Sequence, residues 1–144
     1  MTLDTFLATY EPQLRELLPF WPVKVWKTEH YGPLTKYTLG PLEDGRWAML
    51  HQLRQADDGA PHDHPCRFDT YVLAGGYRES IYRPGHPTHP HEDVDRRPGA
   101  AFTILPDTIH RITGLLAEES WSLCLAGPVV KDWKHYPELL NVDK

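Results

Sequence analysis

Beyond residue 22 this chain never runs more than eight residues in one β-rich stretch before turn chemistry ends it. The runs are Val23–Thr28, Lys36–Leu39, Trp47–Arg54, Thr70–Ala74, Tyr77–Tyr82, Ala101–Leu105, Ile109–Thr113 and Trp121–Ala126. Between them stand Gly40-Pro41, Asp44-Gly45, Asp57-Asp58-Gly59, Gly75-Gly76, Pro98-Gly99 and Gly127-Pro128, residues that preset φ or tolerate its positive values. A helix needs about ten residues of uninterrupted 3.6-period pattern, and no run here supplies one between the strands. A parallel sheet with crossover helices is thereby disfavoured, and an all-β sandwich or barrel of eight short strands is predicted.

The first 22 residues differ. Leu3, Phe6, Leu7, Tyr10, Leu14 and Leu17 recur at helical spacing. Pro12 lacks the amide hydrogen that a helix interior requires, so a kink or two short helices is expected, ending at Pro19 and Pro22. Residues 83–98, with four prolines, three histidines and only Val94 as an apolar residue, read as an exposed loop. Lys131–Leu140 reads as a short helical turn packing Trp133 and Tyr136. At 144 residues and 16.6 kDa there is room for one domain, divided into a helical segment 1–22, a barrel 23–128 and a tail 129–144.

Composition narrows the partners. A net charge of −5 lacks the concentrated basic surface that phosphate binding needs, so nucleic acid is not expected. No eighteen apolar residues run together and no basic-then-apolar leader opens the chain, so neither a membrane span nor a signal peptide is expected. Cys66 and Cys124 are too few for a disulfide framework and read as reduced thiols, which favours a cytoplasmic setting.

The segment His62-Asp63-His64-Pro65-Cys66-Arg67-Phe68-Asp69 carries chemistry. Two histidines two apart on an extended chain project to one side, so both imidazoles can reach one ion. Asp69, past a proline-containing bend, is a fourth ligand, a carboxylate orienting an imidazole or a solvent-facing turn carboxylate. His110 follows the corner Pro106-Asp107-Thr108 at the start of a later strand and supplies a further imidazole. Neutral imidazoles with zero or one carboxylate suit iron, zinc, nickel, copper or manganese rather than calcium or magnesium. His86, His89 and His91 lack a strand to orient them and are not assigned to a native centre. His51, on the alternating face of Trp47, Met49 and Leu53, and Tyr71, on the face of Asp69, are candidate pocket residues. Arg67 is the candidate guanidinium for a substrate carboxylate.

These two segments resemble the two motifs of the cupin superfamily. His62, His64, Asp69 and Gly76 fall on the spacing of the first, with aspartate in place of the usual glutamate and Gly59 closer to His62 than the pattern prescribes. Gly99, Pro106 and His110 match the second, without its inner glycine and final asparagine. The resemblance spans roughly residues 45–128 and implies a jelly-roll β-barrel. His-Asp-His-Pro, Ile109-His110-Arg111-Ile112 and Leu125-Ala126-Gly127-Pro128 are also similar to segments of the thiol dioxygenases, which bind Fe(II) with three histidines. The Gly-Gly-Tyr and Trp-Ser-Leu segments look equally like a set of small bacterial and phage cupins.

The resemblance implies a non-haem iron dioxygenase acting on a small polar metabolite, a thiol or a carboxylate, with dioxygen as co-substrate and a homodimer as the default assembly. A zinc, nickel or manganese centre working as a Lewis acid in an isomerase or lyase is the first alternative. A non-catalytic binding module is the second. No nucleophile triad, phosphate loop or dinucleotide fingerprint adds a further class.

Overall fold

The protein is described from a computed structural model covering residues 1–57 and 59–143. Two helices, α1 (Leu3–Thr9) and α2 (Glu11–Leu17), open the chain, and Pro12 sits in the first turn of α2 where its missing donor costs nothing. The strands are β1 (Lys27–Tyr31), β2 (Leu34–Pro41), β3 (Trp47–Leu53), β4 (Phe68–Ala74), β5 (Tyr77–Tyr82), β6 (His91–Arg96), β7 (Ala101–Ile104), β8 (Ile109–Leu115) and β9 (Ser120–Ala126). They form a six-stranded sheet in the order β1-β2-β3-β9-β4-β7 and a three-stranded sheet in the order β6-β5-β8, with every pairing antiparallel. The expected all-β architecture with a helical N-terminal segment is what the chain adopts.

Three expectations need correction. The first strand lies at Lys27–Tyr31 rather than Val23–Thr28, because Val23 and Val25 pack into the core beside the helices. Within 83–98, His91–Arg96 is not loop but an edge strand, paired on one side with β5. Its polar sequence suits that place: Arg78 Nε donates to Asp95 at 2.7 Å and Ser80 Oγ to Asp93 at 2.6 Å across the strands, and charge on an edge discourages further pairing. Residues 131–136 form no helical turn; the 3₁₀ helix begins at Pro137, and Trp133 is 56 % exposed, its ring set against those of His62 and His135.

Two cores result from strand alternation. On the outer face of the large sheet, Ala48, Leu50, Trp121, Leu123 and Leu125 meet Phe6 and Leu14 of the helices. Phe6 stacks on Trp121 with ring centroids 4.2 Å apart. Between the sheets, Leu53, Val72 and Tyr77 form a smaller cluster flanked by Phe102, Ile112 and Leu115. Gly75 and Gly76, with φ of 75° and 91°, turn β4 into β5; a Cβ on Gly75 would meet the Glu119 carbonyl oxygen at 1.9 Å, so only glycine fits. Among the described residues, no helix is long and apolar enough to cross a membrane.

Candidate metal centre

The opening of β8 and the extended segment before β4 bring three histidines together. His62 and His110 exchange both backbone hydrogen bonds, each N–H donating to the other's carbonyl at 3.0 and 2.9 Å. Residues paired in this way stand directly opposite and project their side chains to one side. His64 is fixed by its own N–H, which donates to the Pro106 carbonyl at 3.2 Å. One nitrogen from each of His62, His64 and His110 then lies within 4.8 Å of the others.

The residues fit a transition metal. His64 Nε2 and His110 Nε2 are 2.8 Å apart, and two imidazoles bound at right angles with bonds of about 2.0–2.1 Å would separate their nitrogens by about 3 Å. His62 Nδ1 lies 3.1 Å from the Ala60 carbonyl, an acceptor that holds the proton on Nδ1 and leaves Nε2 with its lone pair. Burial, then the neighbouring His110, lower the His62 pKa, and burial, then His110 and His62, lower that of His64 to about 2. All three causes favour the neutral, ligating form.

Glu79 is the acid of this site. It is fully buried on β5, where it accepts a hydrogen bond from Arg96 Nη2 at 3.2 Å, and its other carboxylate oxygen stands 3.7 Å from His110 Nδ1. The Arg96 guanidinium lies over the Phe102 ring at 3.8 Å. Burial pushes the Glu79 carboxyl up, but His110 and Arg96 outweigh it and hold the pKa below the usual value. Glu79 Oε2 and His110 Nδ1 are both buried without a hydrogen-bond partner. A metal on His110 Nε2 would fit this pair, since it leaves the proton on Nδ1, facing the carboxylate that orients the ring.

The other expected site residues go elsewhere. Asp69 does not join the histidines: Thr103 Oγ1 at 2.7 Å and Arg67 Nη2 at 3.0 Å donate to one oxygen, and Arg46 Nη1 at 3.0 Å to the other. The reason is the period of β4. Phe68 turns inward, its ring 5.4 Å from that of His64, and the next residue must face out. Arg67 pairs with Asp69 on that outer side, and Tyr71 packs against the core beneath the helices. His51 does lie between the sheets, with Nδ1 3.5 Å from Cys124 Sγ and a buried Nε2 without a partner. Its ring is 6.2 Å from that of Phe68, and burial lowers its pKa to about 4. Burial raises the Cys124 thiol to about 12 and raises that of Cys66, and both cysteines are free.

Glu79 escaped sequence reasoning, although an acid between Tyr77 and Ile81 on one face of a strand was a usable signal. Two shallow grooves, of about 460 and 410 Å³, are lined by the smaller sheet and its flanking loops, the second also by Thr103 and Ile104 of β7, and none of the three histidines lines either.

No family profile matches the chain, and no curated protein matches it. Solved structures do. A cupin 2 conserved barrel domain protein from Rhodopseudomonas palustris superposes with a TM-score of 0.55 at 12 % identity, over 79 % of this chain and 76 % of that one. The polyketide cyclase RemF from Streptomyces resistomycificus gives 0.56 at 21 % identity, over 78 % and 80 %. A structure of DMSP lyases gives 0.54 at 16 %, over 76 % and 62 %. At these identities the likeness is one of architecture alone: the chain has a cupin-like fold, an antiparallel barrel in which His62, His64 and His110 converge.

Proposed function

We propose that the chain is a mononuclear metalloenzyme in which His62, His64 and His110 hold one divalent transition ion, Fe(II) first among them, and a small polar substrate reacts there with dioxygen. The observation that carries this reading is the donor set: three imidazoles converge, and the inward position next to them on β4 is Phe68, not a carboxylate. Three neutral ligands leave the ion's full double charge uncompensated, which favours an anionic substrate group such as a thiolate or carboxylate. Iron in such a site supplies redox chemistry with oxygen and open positions for both partners. The chain's own residues then hold and orient. Glu79 fixes His110, the Ala60 carbonyl fixes the His62 tautomer, and Phe68 sets an apolar ring beside His64.

The test is an oxygen electrode with apo protein reconstituted with Fe(II) or Zn(II), against thiols, amino acids and aromatic acids. Oxygen uptake with iron alone is expected, because zinc occupies a histidine site without a redox change. A second reading, Lewis-acid isomerase or lyase chemistry, is supported by the cyclase and lyase of the same fold. Turnover with zinc and without oxygen would select it. Silence with both metals would select a binding module.

A further inference from the structure

Asp63 stands between two of the ligand histidines, is 1 % exposed, and gives its whole carboxylate to the C-terminal tail. One oxygen accepts the Lys134 backbone N–H at 2.7 Å; the other accepts Lys131 Nζ at 2.5 Å and the Tyr136 hydroxyl at 2.9 Å. The main chains pair as well. Asp63 N–H donates to the Lys134 carbonyl at 3.0 Å and Tyr136 N–H to the Pro61 carbonyl at 2.7 Å, which sets His135 opposite His62 in antiparallel register. His62 is thus bridged by His110 on one side and by His135 on the other. Directly opposed residues project to one side, so the third histidine of the row faces the same way as the two ligands. Its ring centroid is 5.8 Å from that of His62, and the Trp133 ring stands 5.9 Å from His62 at 80° and 4.7 Å from His135. A buried carboxylate is costly unless fully hydrogen-bonded, and this one is satisfied by residues 131–136, so that segment belongs to the folded site.

We propose that residues 131–136 are a wall of the substrate site, that Asp63 is the positioning residue that latches this wall, and that Trp133 and His135 contact a planar, ring-bearing substrate at the metal. This rests on the three-histidine reading above. The half-exposed indole beside His62 offers a flat apolar surface at the solvent edge of the cluster, and stacking is the interaction such a surface provides.

Co(II) is the first probe, since it reports its own binding by visible absorption and quenches nearby indoles. In wild type, Co(II) should quench a fluorescence component that is missing in Trp133→Phe. Asp63→Asn, and more mildly Tyr136→Phe, should keep Co(II) affinity within about threefold but lose at least half of that component. The second probe is a pair of chelators on the cobalt protein, 4-nitrocatechol with a ring and acetohydroxamate without one. Wild type should prefer the ring-bearing chelator. Trp133→Ala and Asp63→Asn should each reduce that preference about three- to tenfold, the worth of one aromatic pair, with acetohydroxamate affinity unchanged. Equal quenching in wild type and Trp133→Phe would overturn the wall, and undiminished Trp133 quenching in Asp63→Asn would overturn the latch. Equal loss of both chelators would reduce Trp133 to general support and overturn its stacking role. Absence of any cobalt band in wild type would overturn the metal reading itself, and the proposal with it.

Discussion

The two faces of β3, β9 and β4 are made by alternate residues of the same three strands and could hardly differ more. Outward, Leu50, Leu123, Leu125 and Trp121 close against Phe6 and Leu14, and the buried Gln52 at the end of that face is satisfied, accepting from the Tyr37 hydroxyl at 3.0 Å and donating to Glu119 at 3.0 Å. Inward, the alternate positions are His51, Phe68, Thr70 and Cys124, and the hydroxyl and the imidazole both lie near one thiol. Period two makes this separation possible, because each strand can serve two masters without changing its backbone. The helix layer gives the sheet a dry core of its own, so the space between the sheets is free to carry buried polar groups that would weaken a smaller barrel.

The sharpest way to break that contrast is Trp121→Ala. Trp121 is fully buried, stacked on Phe6 and 5.9 Å from the Tyr37 ring, so its removal should cost about 3–5 kcal/mol in urea unfolding. Metal affinity of the protein that remains folded should be unchanged. A loss under about 1 kcal/mol would mean that the helix layer does not anchor the sheet.

On the other face the largest effect should fall on binding. His110→Ala should weaken Co(II) or Zn(II) by more than about a hundredfold in chelator competition, while moving unfolding of the apo protein far less than Trp121→Ala does. Asp69→Asn, outside the barrel, should leave affinity within about threefold. The reverse order would restore Asp69 as the ligand and contradict the inward turn of Phe68. Glu79→Gln sits between these. It keeps the shape but removes the charge facing His110 Nδ1, and should weaken metal binding about ten- to a hundredfold. No change there would leave Glu79 as only a partner of Arg96.

These contrasts also explain what the chain disclosed before folding. Strand existence was legible because glycine and proline punctuate it, and seven of the eight expected runs match to within two residues at each end. His62, His64 and His110 were legible because spacing and order are one-dimensional. Asp69 was not, since one residue of register decides between inside and outside, and nothing in Arg67-Phe68-Asp69 says which residue turns in. The strand His91–Arg96 was hidden by its charges, which suit an edge as well as a loop. Asp63 and Glu79 depend on pairings across 68 or more and 17 or more residues, to Lys131 and Arg96, that no local pattern announces.

The finest test of the contrast is pH, read on the metal-free protein. The inward face holds His51 neutral, with burial first and Lys36 second lowering its pKa from 6.5 to about 4, whereas the outward cluster contains no titratable group among its buried members. Below pH 6.5 the unfolded chain takes up a proton at this position and the folded chain does not. Stability therefore falls as pH drops from about 6.5 toward 4, and this contribution levels off below that. A single proton limits the slope to about 1.4 kcal/mol per pH unit. His62 and His64, whose pKa values burial also lowers, add to the slope in the same direction. In His51→Phe the dependence should be shallower between pH 6.5 and 4 by up to that one-proton share, with no change in slope above pH 7. Urea unfolding at several pH values measures both. An unaltered slope would mean that His51 reaches solvent in the folded protein, and the inward face would then be wetter than its buried, unpartnered Nε2 indicates.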